Sequence, residues 1–467
     1  MHTLSGKLAL GLVLFLSIGL LATTSRRTAG AVAPAPPASP ASEYTAWEEW
    51  SAPLSGSTFD ITQCSPDAAD GDHILSGDMN GDGRLDLLCL LKAPNGTTRP
   101  YVQLAGQGSY APWEAWYGAI DPGCDFDLKL VGDFNGDGLD DWLCTRVPWY
   151  GGWYETIYFA SNGSGFSGPN ELALDRMEQF NPARCQASFV ADVNQDGRED
   201  AICHYLYADN SSVTRVAQDA TASVNWSARS PVAAPGSFRL DVCVALHSGD
   251  VDGDGRPDQI CSYQYPGSSA TWVQLAVGHG FSRWERWSEY TPQSELDLSH
   301  CHFLHAVDVD GDGLIDRLCM YQDGVETGVL VQTDGPDTPG VQYGSWESWF
   351  ELSTDILACR PLTDEVPTVI DVNGDGLSDI LCAYANSTSA MTTWVQRSSG
   401  SDYGSWEAWT ASLSFPLGRC HALIAGDLDN NQHTDLICPT VNEDGSTTTF
   451  VQRVKVYKTG LPVTIQN

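Results

Sequence analysis

At 467 residues the chain has room for several ordinary domains or for one large repeat architecture. Its 60 acidic residues outnumber 24 basic ones, and a formal net charge of −36 excludes nucleic-acid binding, which rests on Lys and Arg neutralising phosphates. The same imbalance favours solubility and disfavours anionic membrane surfaces.

The N-terminus reads as an export signal. Lys7 precedes an apolar run over Leu8–Ala22, enough for a signal core and short for a membrane span. Ala29-Gly-Ala31 offers a small-residue cleavage site and assigns residues 1–31 to a signal peptide. Cleavage near Thr24 with trimming at Arg26-Arg27, or retention as an uncleaved anchor, are the alternatives. Residues 32–43 form a Pro/Ala/Ser linker with little that can pack. No other segment is apolar enough to cross a bilayer, so no membrane insertion is expected after cleavage.

Residues 44–455 are a repeat array, followed by a tail over 456–467. The phrase D-x-[DN]-x-[DN]-[GQ]-x-x-D-x-x-C begins at Asp78, Asp133, Asp192, Asp250, Asp308, Asp371 and Asp427, with first Asps 55 to 63 residues apart. Oxygen side chains at alternate positions, with a Gly for a sharp turn, are what a hard cation such as Ca²⁺ requires. A period of this length indicates a propeller or a solenoid. Positions 1, 3, 5 and 9 of these loops supply 23 of the 60 acidic residues, so much of the negative charge is metal-site chemistry.

Each repeat parses into four short strands. The first leads into the acidic loop (Ser188–Ala191, His302–Val307) and the second leaves it (Leu87–Leu91, Asp379–Tyr384). A third follows a polar turn, as in Tyr101–Leu104, Thr271–Leu275, Thr393–Gln396 and Thr449–Gln452. The fourth carries W-E-x-W, starting at Trp47, Trp113, Trp284, Trp346 and Trp406. No amphipathic helix pattern is present. Four antiparallel strands per repeat make one propeller blade, and seven repeats predict an all-β, seven-bladed propeller. A W-E-x-W segment precedes the first loop and none follows the seventh. The expected closure therefore has the N-terminal segment supplying the outer strand of the last blade, with completion by the tail after Val454 as the alternative.

The 14 cysteines fall two per repeat: Cys64 and Cys89, Cys124 and Cys144, Cys185 and Cys203, Cys243 and Cys261, Cys301 and Cys319, Cys359 and Cys382, Cys420 and Cys438. That distribution predicts one disulfide per repeat in an oxidising compartment, with bridges between neighbouring repeats left open. Zinc is not expected, because C-x-x-C spacing is absent. Sequons at Asn95, Asn162, Asn210, Asn225 and Asn386 fit a secreted glycoprotein.

The segment Gly77-Asp-Met-Asn-Gly-Asp-Gly-Arg-Leu-Asp-Leu87 resembles the VCBS and FG-GAP repeats. Those repeats form the seven-bladed propeller of integrin α-subunits and of fungal integrin-like lectins. The resemblance implies Ca²⁺ held by side chains at positions 1, 3, 5 and 9 and by the carbonyl at position 7. Carried over, loop one uses Asp78, Asn80, Asp82, Asp86 and the Arg84 carbonyl; loop two Asp133, Asn135, Asp137, Asp141 and Leu139. Loop three uses Asp192, Asn194, Asp196, Asp200 and Arg198; loop four Asp250, Asp252, Asp254, Asp258 and Arg256. Loop five uses Asp308, Asp310, Asp312, Asp316 and Leu314; loop six Asp371, Asn373, Asp375, Asp379 and Leu377. Loop seven offers Asp427, Asp429, Asn431 and Asp435, but Gln432 replaces the turn Gly, so that site is expected to be weak or empty and the other six filled. The metal is expected to staple the hairpins and to take no part in catalysis. The chain departs from integrins in carrying a Cys pair in every repeat and no following domains.

Two roles compete for the ten tryptophans Trp47, Trp50, Trp113, Trp116, Trp284, Trp287, Trp346, Trp349, Trp406 and Trp409. One is blade-to-blade core. The other is a set of exposed faces holding sugar rings, with the Glu of each motif on a sugar hydroxyl or in solvent. No H-E-x-x-H, G-x-S-x-G or phosphate-cradling Gly loop is present, and His300, His302 and His305 do not share a strand face. No catalytic residue is assigned. The expected function is non-catalytic recognition of glycans or an adhesion partner, with an extracellular protein-binding scaffold and a polysaccharide-active enzyme as alternatives.

Overall fold

The computed structural model describes residues 44–455 except 52–58, 65–73, 94, 121–123, 125–127, 148–152, 177–179, 219–225, 289, 294–295, 324–325, 339–340, 353–367, 386–390, 411–419 and 432. The signal peptide, linker and tail, Cys359, Gln432 and the sequons at Asn225 and Asn386 lie outside the described residues. Among the described residues there is no α-helix, and no helix is long and apolar enough to cross a membrane.

Seven antiparallel sheets of four main strands form the blades, numbered here by the acidic loop each contains. Blade one runs Ile74–Gly77, Asp86–Lys92, Thr98–Gln103, Glu114–Ala115, and blade two Lys129–Gly132, Asp141–Arg146, Trp153–Ser161, Phe166–Arg176. Blade three runs Cys185–Ala191, Asp200–Leu206, Ser212–Ala217, Ser227–Ala228, and blade four Cys243–Gly249, Asp258–Tyr265, Ser268–Gln274, Glu285–Arg286. Blade five runs Cys301–Val307, Asp316–Asp323, Glu326–Gln332, Glu347–Leu352, and blade six Thr368–Ile370, Asp379–Ala385, Met391–Gln396, Glu407–Ala408. Blade seven joins Ile424–Gly426, Asp435–Val441 and Thr447–Gln452 to the N-terminal strand Glu48–Glu49, with Glu48 opposite Val451. First strands touch between blades one and two, two and three, four and five, and five and six, so they line the inside of the ring. The acidic loops, which join first to second strands, therefore gather on one face.

Each blade is stapled internally. Disulfides link Cys64–Cys89, Cys124–Cys144, Cys185–Cys203, Cys243–Cys261, Cys301–Cys319 and Cys420–Cys438, each joining partners 18 to 25 residues apart. Cys382 is also disulfide-bonded. The described bridges run within repeats and not between them. In blades three, four and five a 3-10 turn delivers the first cysteine to its strand (Pro182–Arg184, Leu240–Val242, Leu298–His300). The turns of blades three and five are capped by Asn181 and Asp297 side chains.

The core is divided into wedges between blades, such as the cluster of Trp50, Leu428, Ile437 and Val451 with Leu87 and Tyr110. Within these wedges a buried polar latch recurs. Thr214 Oγ1 donates to Gln274 Oε1 at 2.5 Å, Thr271 to Gln332 at 2.7 Å, Thr393 to Gln452 at 2.7 Å and Thr449 to Gln103 at 2.7 Å. Each bond joins the third strand of one blade to that of the next, the last of them from blade seven back to blade one. Between blades two and three the same hydroxyl, on Thr156, instead accepts from Trp226 Nε1 at 2.9 Å. Between blades five and six the hydroxyl is missing: Val329 occupies its place, and Gln396 Oε1 is buried without a partner. A buried acceptor left unpaired costs on the order of 1–3 kcal/mol. Val329→Thr should therefore raise the free energy of chemical unfolding by about 1 kcal/mol, and no gain would mean that the hydroxyl cannot reach Gln396.

Candidate metal loops and the tryptophan clasps

The acidic loops are folded by their own carboxylates. In loop one the position-1 Asp78 accepts the N–H groups of Gly81 at 2.8 Å, Asp82 at 3.0 Å and Gly83 at 2.7 Å. Asp133 and Asp371 do the same in loops two and six. Position 5 then accepts the N–H of position 7, as Asp82 does from Arg84 at 3.0 Å. This winding needs left-handed backbone at positions 4 and 6, for example φ +74° at Gly81 and +76° at Gly83. The requirement at position 4 is not apparent in the sequence pattern, because two loops meet it without glycine. Gln195 and Asn430 stand there at φ 57° and 58°.

The position-9 carboxylates are buried, and in loops one, two, four, six and seven both oxygens are pinned. Asp200 of loop three accepts a main-chain N–H at Oδ2 alone, from Val193 at 3.2 Å. Asp86 accepts from Ala105 N–H at 2.7 Å and Met79 N–H at 3.1 Å; Asp258 accepts from Ala276 at 2.7 Å and Val251 at 3.1 Å. Position 9 thus ties the loop to the end of the third strand. Burial pushes the carboxyls of Asp86, Asp141, Asp200, Asp258, Asp379 and Asp435 up to about 7, opposed by these N–H bonds and reinforced by neighbouring Asp charges.

The residues fit a hard cation. Ligand oxygens of Asp250, Asp252 and Asp254, of Asp308, Asp310 and Asp316, and of Asp427, Asp429 and Asp435 lie within 4.8 Å of one another. An all-oxygen set at that spacing suits oxygen coordination of a divalent ion at about 2.3–2.6 Å. Loop seven gathers its carboxylates as loops four and five do. It also shares Asp429 with Arg453, whose Nη1 lies 3.8 Å from the carboxylate and competes with any cation there. Gln432 itself lies outside the described residues.

Seven of the ten tryptophans are buried and occupy the first of their two roles. Trp50, Trp116, Trp287, Trp349 and Trp409 are all buried, as are Trp113 and Trp284, while Trp47, Trp346 and Trp406 are half-buried. The second Trp of each motif packs on an aromatic ring that opens the motif of the following blade. The pairs are Trp50–Tyr110 at 6.1 Å, Trp287–Tyr343 at 6.3 Å, Trp349–Tyr403 at 5.8 Å and Trp409–Tyr44 at 5.6 Å. Each pair is tied by a backbone bond, such as Tyr110 N–H to the Trp50 carbonyl at 2.7 Å. The tyrosine hydroxyl then reaches its own blade's acidic loop at position 8: Tyr110 donates to the Leu85 carbonyl at 2.9 Å and Tyr44 to that of Thr434 at 2.8 Å. The extended motif [FY]-x-x-W-E-x-W is therefore a clasp between blades. Its first Trp stacks on a Phe ahead of the first cysteine, Trp113 on Phe59 at 4.8 Å and Trp284 on Phe238 at 4.5 Å. The motif Glu serves the clasp as well. Glu407 accepts from Trp409 Nε1 at 3.2 Å and pairs with Arg397 at 2.8 Å; Glu48 pairs with Arg453 at 3.1 Å. Rings so enclosed are not available as sugar platforms.

Aromatic surface is present elsewhere. At the end of the second strand of blade four the rings of Tyr263, Tyr265 and Tyr290 lie in series. Their rings stand 4.2 Å and 5.2 Å apart, and Arg286 lies 4.2 Å over Tyr290, which is 46% exposed. This ladder runs from the core to solvent. Sequence reasoning missed it, although C-x-Y-x-Y at Cys261–Tyr265 was its signal.

Two buried histidines sit in the polar seams. His204 Nε2 pairs with Gln259 Oε1 at 2.8 Å, and His247 Nε2 meets the Leu304 carbonyl at 2.9 Å. Burial lowers both to about 4, with Arg317 and His305 adding to the effect on His247. A depressed histidine favours folding above its unfolded value near 6.5, and that contribution is lost as pH falls through about 4. Each contributes on the order of 3 kcal/mol at full expression. Melting temperature should fall less steeply between pH 6.5 and pH 4 in His204→Gln than in the parent, and parallel curves would refute the assignment.

Residues 371–438 match a family model described as an FG-GAP-like repeat. A search of curated proteins finds no match in sequence. Solved structures that resemble the chain include the Photorhabdus luminescens Tc holotoxin pore (13% identity, TM-score 0.41, 82% of this chain and 18% of that one). The Dos1 propeller follows at 10% identity and TM-score 0.37, covering 79% of this chain and 75% of the other. The Aleuria aurantia lectin, in complex with alpha-methyl-L-fucoside, has 10% identity and TM-score 0.32, covering 72% and 94%. The chain thus spans less than a fifth of the length of the toxin chain it matches.

Proposed function

We propose that this seven-bladed propeller, with its FG-GAP-like repeat, is an exported, calcium-stapled recognition module that binds carbohydrate without transforming it. Calcium is the reading favoured by all-oxygen loops repeated in every blade, and export by a disulfide within six described repeats. The metal would be held by the Asp and Asn side chains of positions 1, 3, 5 and 9, where it would supply fixed positive charge to the hairpin ends.

The observation that carries the carbohydrate reading is the tyrosine ladder of blade four. Tyr290 is 46% exposed, with the Arg286 guanidinium over its ring and the Tyr265 ring packed against it. Aromatic surface, a phenol hydroxyl and cationic donors thus stand at one place for CH–π contact and hydrogen bonding. A glycan array run with the calcium-loaded chain and with Tyr290→Ala tests this. Binding by the parent that falls at least about tenfold in the variant supports it. Silence of the folded parent across the array would sink the carbohydrate reading, and retained binding in Tyr290→Ala would move the site elsewhere on the ring.

A further inference from the structure

The acidic loops touch one another around the ring, and the contacts fall at positions that matter for the metal. The carbonyl of position 1 in one loop accepts a bond from position 8 of the next loop, between the position-7 and position-9 ligands. Asp140 N–H donates to the Asp78 carbonyl at 2.8 Å, Glu199 N–H to Asp133 at 2.9 Å and Ile315 N–H to Asp250 at 3.0 Å. Ser378 N–H donates to Asp308 at 3.2 Å, and Thr434 Oγ1 to the Asp371 carbonyl at 2.9 Å. In the first two pairs the bond is returned: Asp140 Oδ2 accepts from Asp78 N–H at 2.6 Å and Glu199 Oε2 from Asp133 N–H at 2.9 Å.

The link between loops six and seven uses a side-chain donor, and that between loops three and four has no main-chain donor at all. Position 8 of loop four is Pro257, which carries no N–H. At that junction position 4 of loop three is Gln195, and its Nε2 donates to the Asp254 carbonyl of loop four at 3.0 Å. The contact is kept at the cost of holding a long L side chain at φ 57°, where other loops have glycine. Loop seven places a side chain in the same position at the ring closure. Asn430, also at position 4 and at φ 58°, places its Nδ2 against Gly83 of loop one, 3.3 Å from where a Cβ would stand.

We propose that these bonds make the loops a single cooperative cation ring, in which a metal bound in one loop orders position 1 of the loop before it. Filling loop four fixes its positions 7 to 9 and its position-5 carbonyl, and Gln195 transmits that order to loop three. The entropy of ordering each loop is then shared between neighbours, so the later sites fill more easily than the first. The inference rests on the calcium reading of the loops.

Native mass spectrometry of the oxidised full chain, stripped of metal and titrated with Ca²⁺, tests both separately. Absence of any Ca²⁺ mass shift at saturation would overturn the calcium reading itself. Given binding, cooperativity predicts coexisting metal-free and fully loaded ions at half saturation, and a Hill coefficient of about 2 or more. A binomial spread of partly loaded ions would overturn the ring. Gln195→Gly suits the left-handed backbone and should fold, while cutting the link between loops three and four. Partly loaded ions should rise in this variant, and a charge-by-charge distribution identical to the parent's would overturn the relay. Thr434→Val, which cuts the link between loops six and seven without touching a proposed ligand, should produce the same change independently.

Discussion

Stripping divalent cations from the oxidised protein is expected to lower its melting temperature by more than about 10 °C. One site held at a hundredfold excess over its dissociation constant contributes about 2.7 kcal/mol, and on the calcium reading the acidic loops offer several candidate sites. The loss should also depend on pH with a definite sign. In the metal-free chain the position-9 carboxyls have folded values of about 7, raised above the ordinary 3.8. A raised group contributes stability that is present below its unfolded value and lost as pH rises through the folded one. The chelated protein should therefore weaken between pH 5 and pH 8. A bound cation removes the cause of that weakening and competes better against fewer protons, so the gap between loaded and chelated melting curves should widen with pH. The buried histidines act on both forms and cancel in the difference. A gap that is absent, or that narrows with rising pH, would show that the loops fold without metal.

The second large effect concerns closure. Blade seven borrows Glu48–Glu49 from the N-terminus, and the seam to blade one is held by three kinds of contact. Trp50 packs on Tyr110, Thr449 bonds Gln103, and Leu85 lies against Gly426 at a distance a Cβ would violate. Trp50→Ala should cost about 3–5 kcal/mol, the range for deleting a large buried ring. Because the seam joins elements distant in sequence, the damage should be local in space and divided in sequence. Hydrogen exchange should accelerate in Thr447–Gln452 and Thr98–Gln103 while blades three to five keep their protection. Uniform acceleration around the ring would instead mean that the propeller opens as one unit. Trp116→Ala, which breaks an ordinary seam between blades one and two, is the comparison that separates closure from clasping.

The blades were readable because the signal repeats. Seven copies of an Asp/Asn/Gly phrase announce a loop chemistry that few other structures need, and the flanking runs of β-branched and aromatic residues mark strands to within a few residues. The predicted Leu87–Leu91 strand, for instance, is Asp86–Lys92. What the sequence could not disclose is partnership across blades. The i, i+3 spacing of Trp47 and Trp50 says that the rings diverge, but not that one meets a tyrosine sixty residues onward. Thr449 and Gln103 stand 346 residues apart, and no local pattern links them. The position-4 requirement was hidden for a different reason. Glycine is frequent enough in these loops to look like turn chemistry, and only the backbone at Gln195 shows that its freedom is used.

Arg317 teaches the same lesson from the charge side. It is fully buried between blades four and five, over the Trp346 ring at 4.9 Å, and it bonds the Thr271 hydroxyl, Gln332 and Ser262 without a carboxylate. Burial lowers it to about 10. In sequence it is one residue after an acidic-loop aspartate and reads as a solvated charge.

The N-terminal strand of blade seven has a consequence for biosynthesis. Residue 48 leaves the ribosome 403 residues ahead of its partner, Val451, so the edge of Glu48–Glu49 stays unpaired while all the intervening blades are made. The cysteine pairs, 18 to 25 residues apart in the described bridges, can oxidise long before that. Growing chains would thus accumulate as arcs of finished blades with two raw ends, one at blade one and one at the latest blade made. Such arcs can join end to end between molecules as readily as within one, since the same clasp serves both junctions. The last step of maturation is then a race between ring closure and chain-to-chain assembly, decided by concentration in the compartment where the protein is made.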